Sequence, residues 1–151
     1  MTLKDQVRND MKAALLGGSR FEGDTLRNLM AAILNEEVAT NKRDEGLEDA
    51  EVEKLIAREV KKRGESISMY EQNDRADLAE NEQNEIAVLE KYMPEQLSEA
   101  DVRAKVDEVV AGMGEVNMQQ IGQIIGAVKA QLGNSADGAL IAKVVKEKLT
   151  Q

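Results

Sequence analysis

The sequence predicts an all-α protein built as an amino-terminal four-helix domain followed by a small three-helix tail bundle. Three observations carry that expectation. Apolar residues recur every three or four positions, with no period-two alternation anywhere in the chain. The single proline, Pro94, divides two stretches of different punctuation. The only aromatic residues are Phe21, Tyr70 and Tyr92, so the core must be aliphatic, drawn from Leu, Ile, Val, Met and Ala. Proline lacks an amide donor and clashes with the preceding turn, so a helix arriving through Ile86, Leu89 and Met93 has to stop there. The expected domains are residues 1–94 and 95–151.

The first helix carries Leu3, Val7, Met11, Ala14 and Leu15 and ends at Gly17-Gly18, where glycine accepts a left-handed cap. Asp24 is the expected cap of the second helix. Its stripe is Leu26, Leu29, Met30, Ile33, Leu34 and Val38, fading into the polar run from Thr40 to Gly46. The third helix starts near Asp49 and holds Val52, Leu55, Ile56, Val60, Ile67 and Tyr70, with Gly64 inside it at a cost of about 1 kcal/mol relative to alanine. Asn73-Asp74 breaks the run. Asp74-Arg75-Ala76-Asp77 offers an acidic cap for a fourth helix with Leu78, Ile86, Leu89 and Met93.

Beyond Pro94 the helices shorten and glycine takes over the punctuation. Ser98-Glu99-Ala100-Asp101 has capping-box spacing ahead of Val102, Val106, Val109 and Val110, and that helix ends at Gly112-Met113-Gly114. Asn117 and Gln120 form a second capping box, opening a helix with Ile121, Ile124, Ile125, Val128 and Leu132 that Gly133-Asn134 stops. Asp137 caps the last helix, whose stripe is Leu140, Ile141, Val144, Val145 and Leu149. Lys143, Lys146 and Lys148 lie toward its carboxyl end, where the helix dipole favours cations.

Composition excludes much chemistry. With no cysteine and no histidine there is no thiol nucleophile, disulfide, thiolate or imidazole zinc site, or histidine base. Charges within the first five residues and the lack of a long apolar run lead to the expectation of a cytoplasmic protein without membrane association. The net charge of -9 disfavours nonspecific attraction to nucleic acid, and no DNA partner is expected. Residues 1–94 hold 14 Lys+Arg against 21 Asp+Glu, and residues 95–151 hold 6 against 8. The carboxyl module is therefore the better electrostatic candidate for contact with RNA.

Gly122 and Gly126 lie one turn apart and leave a strip of the sixth helix almost bare. Such a strip serves either the tight packing of a neighbouring helix, as small-residue contacts do, or the close approach of an RNA backbone beside Lys129. Arg58, Lys61, Lys62 and Arg63 form the densest basic cluster, but they lie on several faces among acidic neighbours and read as a solvated, salt-bridged surface. Asp77, Glu80, Glu82, Glu85 and Glu90 lack the histidine of a Glu-x-x-His metal motif, so no metal site is expected. Gly17-Gly18-Ser19 is too short for a phosphate loop and reads as a turn.

An ordered set of strings resembles the GatB/YqeY family. They include Asn9-Asp10-Met11-Lys12-Ala13-Ala14, Leu26-Arg27-Asn28-Leu29-Met30-Ala31-Ala32-Ile33, Arg75-Ala76-Asp77-Leu78-Ala79, Tyr92-Met93-Pro94-Glu95-Gln96-Leu97-Ser98, Ile124-Ile125-Gly126-Ala127-Val128 and Ala136-Asp137-Gly138. The resemblance runs through both modules, as in a stand-alone YqeY-like protein. It implies a relation to the tail region of the aspartyl/glutamyl-tRNA amidotransferase B subunit, where the tail helps hold tRNA and the chemistry sits on other domains. A label of carbon-nitrogen ligase with glutamine as amido-N-donor would be inherited from that subunit. One departure stands out: where the family often carries Lys or Arg, this chain has Leu132-Gly133-Asn134-Ser135.

The resulting expectation is a non-catalytic, tRNA-associated accessory module with no catalytic residue, cofactor or metal, whose tail presents Gly126, Lys129, Asn134, Lys143 and Lys146 to RNA. The competing expectation is a protein-protein adaptor that binds an amidotransferase or another translation component through an exposed aliphatic face.

Overall fold

The computed structural model describes residues 1–151 and is all-α, with seven helices and no strand. They are α1 Leu3–Leu16, α2 Arg20–Ala39, α3 Asp49–Gln72, α4 Ala76–Glu90, α5 Glu99–Met113, α6 Ile121–Leu132 and α7 Gly138–Leu149. Short 3-10 turns at Met118–Gln120 and Gly133–Ser135 precede and follow α6. The chain divides into two compact units, Met1–Met93 and Pro94–Gln151.

In the first unit α1 pairs with α2 and α3 with α4, and the two pairs pack through Val7, Leu26, Leu29, Met30, Ile33, Val52, Leu55, Ile56, Val88 and Leu89. Each fully buried Leu or Ile contributes about 1.5–3 kcal/mol. α1 opens on a complete capping box between Thr2 and Asp5, and the left-handed turn after it falls at Gly18 (φ 82°) rather than Gly17. Asp24 does not cap α2. The helix starts a turn earlier, behind Ser19, and Asp24 pairs instead with Arg27 at 2.9 Å. The early start brings Gly23 against α1, where a Cβ would lie 2.5 Å from the Leu15 side chain. Leu34 and Val38, predicted for the core stripe, stay 47% and 61% exposed because α1 and the α3–α4 pair already cover the opposite arc of α2.

The loop between α2 and α3 is organised by a buried charge. Glu37, only 1% exposed, receives both its Lys4 contacts at 2.8 Å and accepts the Leu47 amide at 2.9 Å. Its backbone carbonyl accepts from the Lys42 amide at 2.7 Å. Gly46 turns past it at φ 79°, leaving room for the carboxylate. The amide of Leu3 donates to Asp49 at 2.8 Å, fastening the start of α1 to the start of α3.

α3 runs unbroken through Gly64, with Glu48 and Glu51 forming its capping box. Arg63, 16% exposed, joins α3 to α4 by contacts with Glu59 (2.9 Å) and Glu85 (3.0 Å), with Glu82 at 3.9 Å. The cluster read as a solvated basic surface therefore has one member turned inward. Asp74 takes a left-handed conformation (φ 58°) instead of capping α4, and Asp77 in the first turn pairs with Arg75. α4 ends at Glu90, ahead of Pro94, and the Tyr92 hydroxyl donates to Asp10 at 2.6 Å. Burial and that carboxylate both push the phenol well above its ordinary range.

The second unit is a three-helix bundle around Val102, Val106, Ile124, Val128, Ile141, Val144 and Val145. Ser98 caps α5 through the Asp101 amide, without the reciprocal half of the box. Asn117 and Gln120 make a complete box whose first turn is 3-10 before α6 proper. Asp137 caps α7 through the Ala139 amide at 3.3 Å.

Two glutamates of the first unit respond to acid in opposite directions. For Glu37, burial works to raise the carboxyl, but the Lys4 and Leu47 hydrogen bonds outweigh it and hold the group below its ordinary value. Its stabilisation is present above the unfolded value and lost as pH falls. For Glu82, burial and then Glu85 raise the carboxyl, so its charged form opposes folding at neutral pH. Glu37→Gln is expected to destabilise the unit by about 2–4 kcal/mol at pH 7, because it leaves Lys4 without its partner. Glu82→Gln is expected to raise the melting temperature at pH 7, with the gain vanishing toward pH 4. Thermal melts across pH check both.

Candidate RNA-facing surface of the tail unit

In α6 the buried residues are Ile124 and Val128, with Ile121, Ile125 and Leu132 packed beside them. The spacing of these apolar positions turns Gly122, Gln123, Gly126, Lys129 and Ala130 outward, and all five are exposed. A Cβ built on Gly122 or Gly126 meets nothing within 4 Å. No helix of the tail unit packs closely on the bare strip. Met118, 43% exposed, stands at its amino-terminal end.

The five residues expected to face RNA do not form one cluster. Gly126 and Lys129 share the outer face of α6, and the Lys129 ammonium lies against Gly138 at the start of α7, 3.1 Å from where a Cβ would sit. Asn134 is half-buried in the 3-10 turn after α6, its carbonyl accepting from Gln96 at 2.9 Å. Lys143 is drawn to Glu99 of α5 at 3.2 Å. Lys146 is exposed on α7.

Ion pairing decides which cations remain available. Arg103 binds Glu147 (2.8 Å) and Glu99, Lys105 binds Glu108 (3.1 Å), and Lys148 binds Asp107 (3.3 Å). The Arg103 pair holds Glu147 below its ordinary value, chiefly through the hydrogen bond. Lys129 and Lys146 have no carboxylate within ion-pair distance, so positive charge appears at two points rather than as a continuous band. The sequence did not mark Gln96, whose side chain bridges Pro94 and Asn134, or the pairing of Lys143. Both depend on contacts 38 or more residues apart along the chain. A shallow depression on α5 is lined by Glu99, Ala100, Arg103, Ala104 and Asp107, and its three charged side chains are all ion-paired. No group of three or more acidic side chains is placed to hold a metal ion. No helix is long and apolar enough to cross a membrane.

This two-unit, all-helical chain agrees with the fold that the GatB/YqeY resemblance implies. The family model described as Yqey-like protein matches residues 4–149, and the chain belongs to that family. It is similar to fungal proteins named altered inheritance of mitochondria protein 41, mitochondrial. Identity to the Meyerozyma guilliermondii protein is 29% over 149 residues, 93% of this chain and 77% of the relative. To the Saccharomyces cerevisiae protein it is 27% over 129 residues, 81% and 68% of the two chains. The aligned parts span 59% and 66% of the Lachancea thermotolerans and Kluyveromyces lactis relatives.

An exposed helical glycine that packs against nothing should cost stability without structural return. Gly122→Ala and Gly126→Ala are each expected to stabilise the tail unit by up to about 1 kcal/mol, measured by chemical denaturation.

Proposed function

We propose that the protein is a non-catalytic, tRNA-associated accessory module whose tail unit approaches the RNA sugar-phosphate backbone along the bare strip of α6. The observation that carries this is the open Gly122–Gly126 strip with Lys129 beside it, a surface that the fold itself leaves unused. Two glycines let a backbone come closer than any side chain would allow, and Lys129 supplies a phosphate contact at the border of the strip. Lys146 supplies a second contact from α7. Recognition of this kind rests on shape and phosphate position rather than base edges. The resemblance of the sequence to the amidotransferase tail favours the same partner, and the absence of cysteine and histidine suits a module that contributes contact rather than chemistry.

Two uncompensated lysines set the strength of the electrostatic contribution. Each phosphate neutralised contributes roughly 0.7–0.9 to the salt slope, so log K against log salt is expected to fall with a slope of about −1.4 to −1.8. Gel shifts with total tRNA across salt concentrations measure it. Gly126→Val is expected to weaken binding without loss of fold, and Lys129→Gln to reduce the slope by nearly half. Absence of saturable binding at low salt would overturn the assignment.

A further inference from the structure

Although the first unit is strongly acidic, one of its surfaces is not. On α1 the positions Arg8, Lys12 and Leu16 recur every four residues and form one strip, in which Lys12 is exposed and Leu16 is 90% exposed. On α2 the strip is Arg20, Arg27, Leu34 and Val38, with Arg20 and Arg27 exposing 88% and 62% of their side chains.

Both strips point away from α3 and α4. Asp10, two residues past Arg8, bonds to Tyr92, and Glu36, two residues past Leu34, pairs with Arg58 of α3. A two-residue step carries a side chain to the opposite side of a helix, so Arg8 and Leu34 face outward. The Lys4–Glu37 pair and the contact of Leu15 with Gly23 fix the antiparallel register of α1 and α2. That register sets Lys12 level with Arg27 and Arg8 level with Ala31 to Ile33, so the two strips are neighbours. The only carboxylates along them are Asp5 and Asp24, each already paired with an arginine of the same face at 3.6 Å and 2.9 Å. Four cations against two carboxylates leave this face net positive, and Lys12 has no acidic partner.

We infer that the outer face of the α1–α2 pair is a docking surface for an acidic amphipathic helix of a partner protein. Leu34 and Val38, one turn apart, offer the apolar row that such a helix would cover with residues spaced three and four apart. Arg8 stands level with the start of that row, and Arg27 with Lys12, two turns further along, extends the positive charge that attracts glutamates and aspartates flanking the partner's apolar stripe. RNA suits the face less well, since exposed Leu34 and Val38 occupy one end of it and neither strip holds an aromatic side chain. The surface lies in the first unit and does not depend on the RNA contact proposed for α6.

The probes are two synthetic amphipathic helices of about five turns. They share one leucine stripe, flanked by glutamates in one and by lysines in the other. Full-length, isotope-labelled protein is titrated with each and followed by amide chemical shifts. The glutamate-flanked helix is expected to shift amides of α1 and α2 saturably, while the lysine-flanked helix does not. Lys12→Glu is expected to weaken the binding about fivefold and Leu34→Asp about tenfold, both sites being exposed and both variants checked for retained helicity by circular dichroism. Equal binding of the two probes, no saturable shift with either, or displacement of the same amides by total tRNA instead would each overturn the inference. Tail-unit gel shifts should be unaffected by both substitutions.

Discussion

A carboxylate buried among three elements sets the geometry of the first unit. Glu37 sits near the end of α2, yet its side chain holds the first turn of α1 through Lys4 and the entrance to α3 through the Leu47 amide. A buried ion has to be almost fully coordinated to be tolerated, and Glu37 has charge-assisted contacts on both oxygens. The nine residues from Thr40 to Glu48 therefore cannot wander: Lys42 is tied to the Glu37 carbonyl and, by its ammonium, to Glu51, while Gly46 turns tightly past the carboxylate. Aliphatic contacts alone would leave the register of α1 on α2 loosely set. The ion pair at one end and the Gly23–Leu15 contact at the other fix it at two points, and the outward faces of both helices follow from that register.

The same economy of charge distinguishes the surfaces. Most cations of this acidic chain are matched to carboxylates, either within a helix, as for Arg75 and Asp77, or between helices, as for Arg103 and Glu147. Exposed pairs of this kind contribute little stability, but they cancel the local field. What remains uncancelled is then a minority of the cations. In the first unit it includes Lys12, on the face that also carries Leu16, Leu34 and Val38, together with Lys61 and Lys62 on α3. In the tail it is Lys129 and Lys146. A count of basic residues does not separate paired from unpaired cations: in the densest basic run, from Arg58 to Arg63, Arg58 and Arg63 are paired with Glu36, Glu59 and Glu85.

The fold class and the helices were legible in the sequence because period, punctuation and caps agree. Pro94, Asn117 with Gln120, Asp137 and the valine and isoleucine stripe of the tail each say the same thing as their neighbours. Caps failed where a residue had a competing partner. Asp24 reads as an N-cap only if α2 starts beside it, and the close approach allowed by Gly23 pulls the start back to Ser19. Leu34 and Val38 read as core because helical spacing does not reveal how wide an arc the neighbours cover. The site was less legible. Gly122, Gly126 and Lys129 were identifiable as a strip, but whether the strip was buried or open, and that Lys143 is spent on Glu99, depend on contacts between distant segments.

The bare strip of α6 illustrates how an unused feature becomes informative. Glycine inside a helix opposes folding, since the unfolded chain gives up more freedom and no side chain packs in return. Gly23 recovers that loss by letting Leu15 of α1 approach, and Gly46 by making the turn around Glu37. Gly122 and Gly126 recover nothing within the tail unit: their helical conformation would accept alanine, and no side chain of the unit packs on them. On the reading proposed above, the return for these two turns of helix, bordered by Lys129, comes from an RNA backbone that approaches from outside.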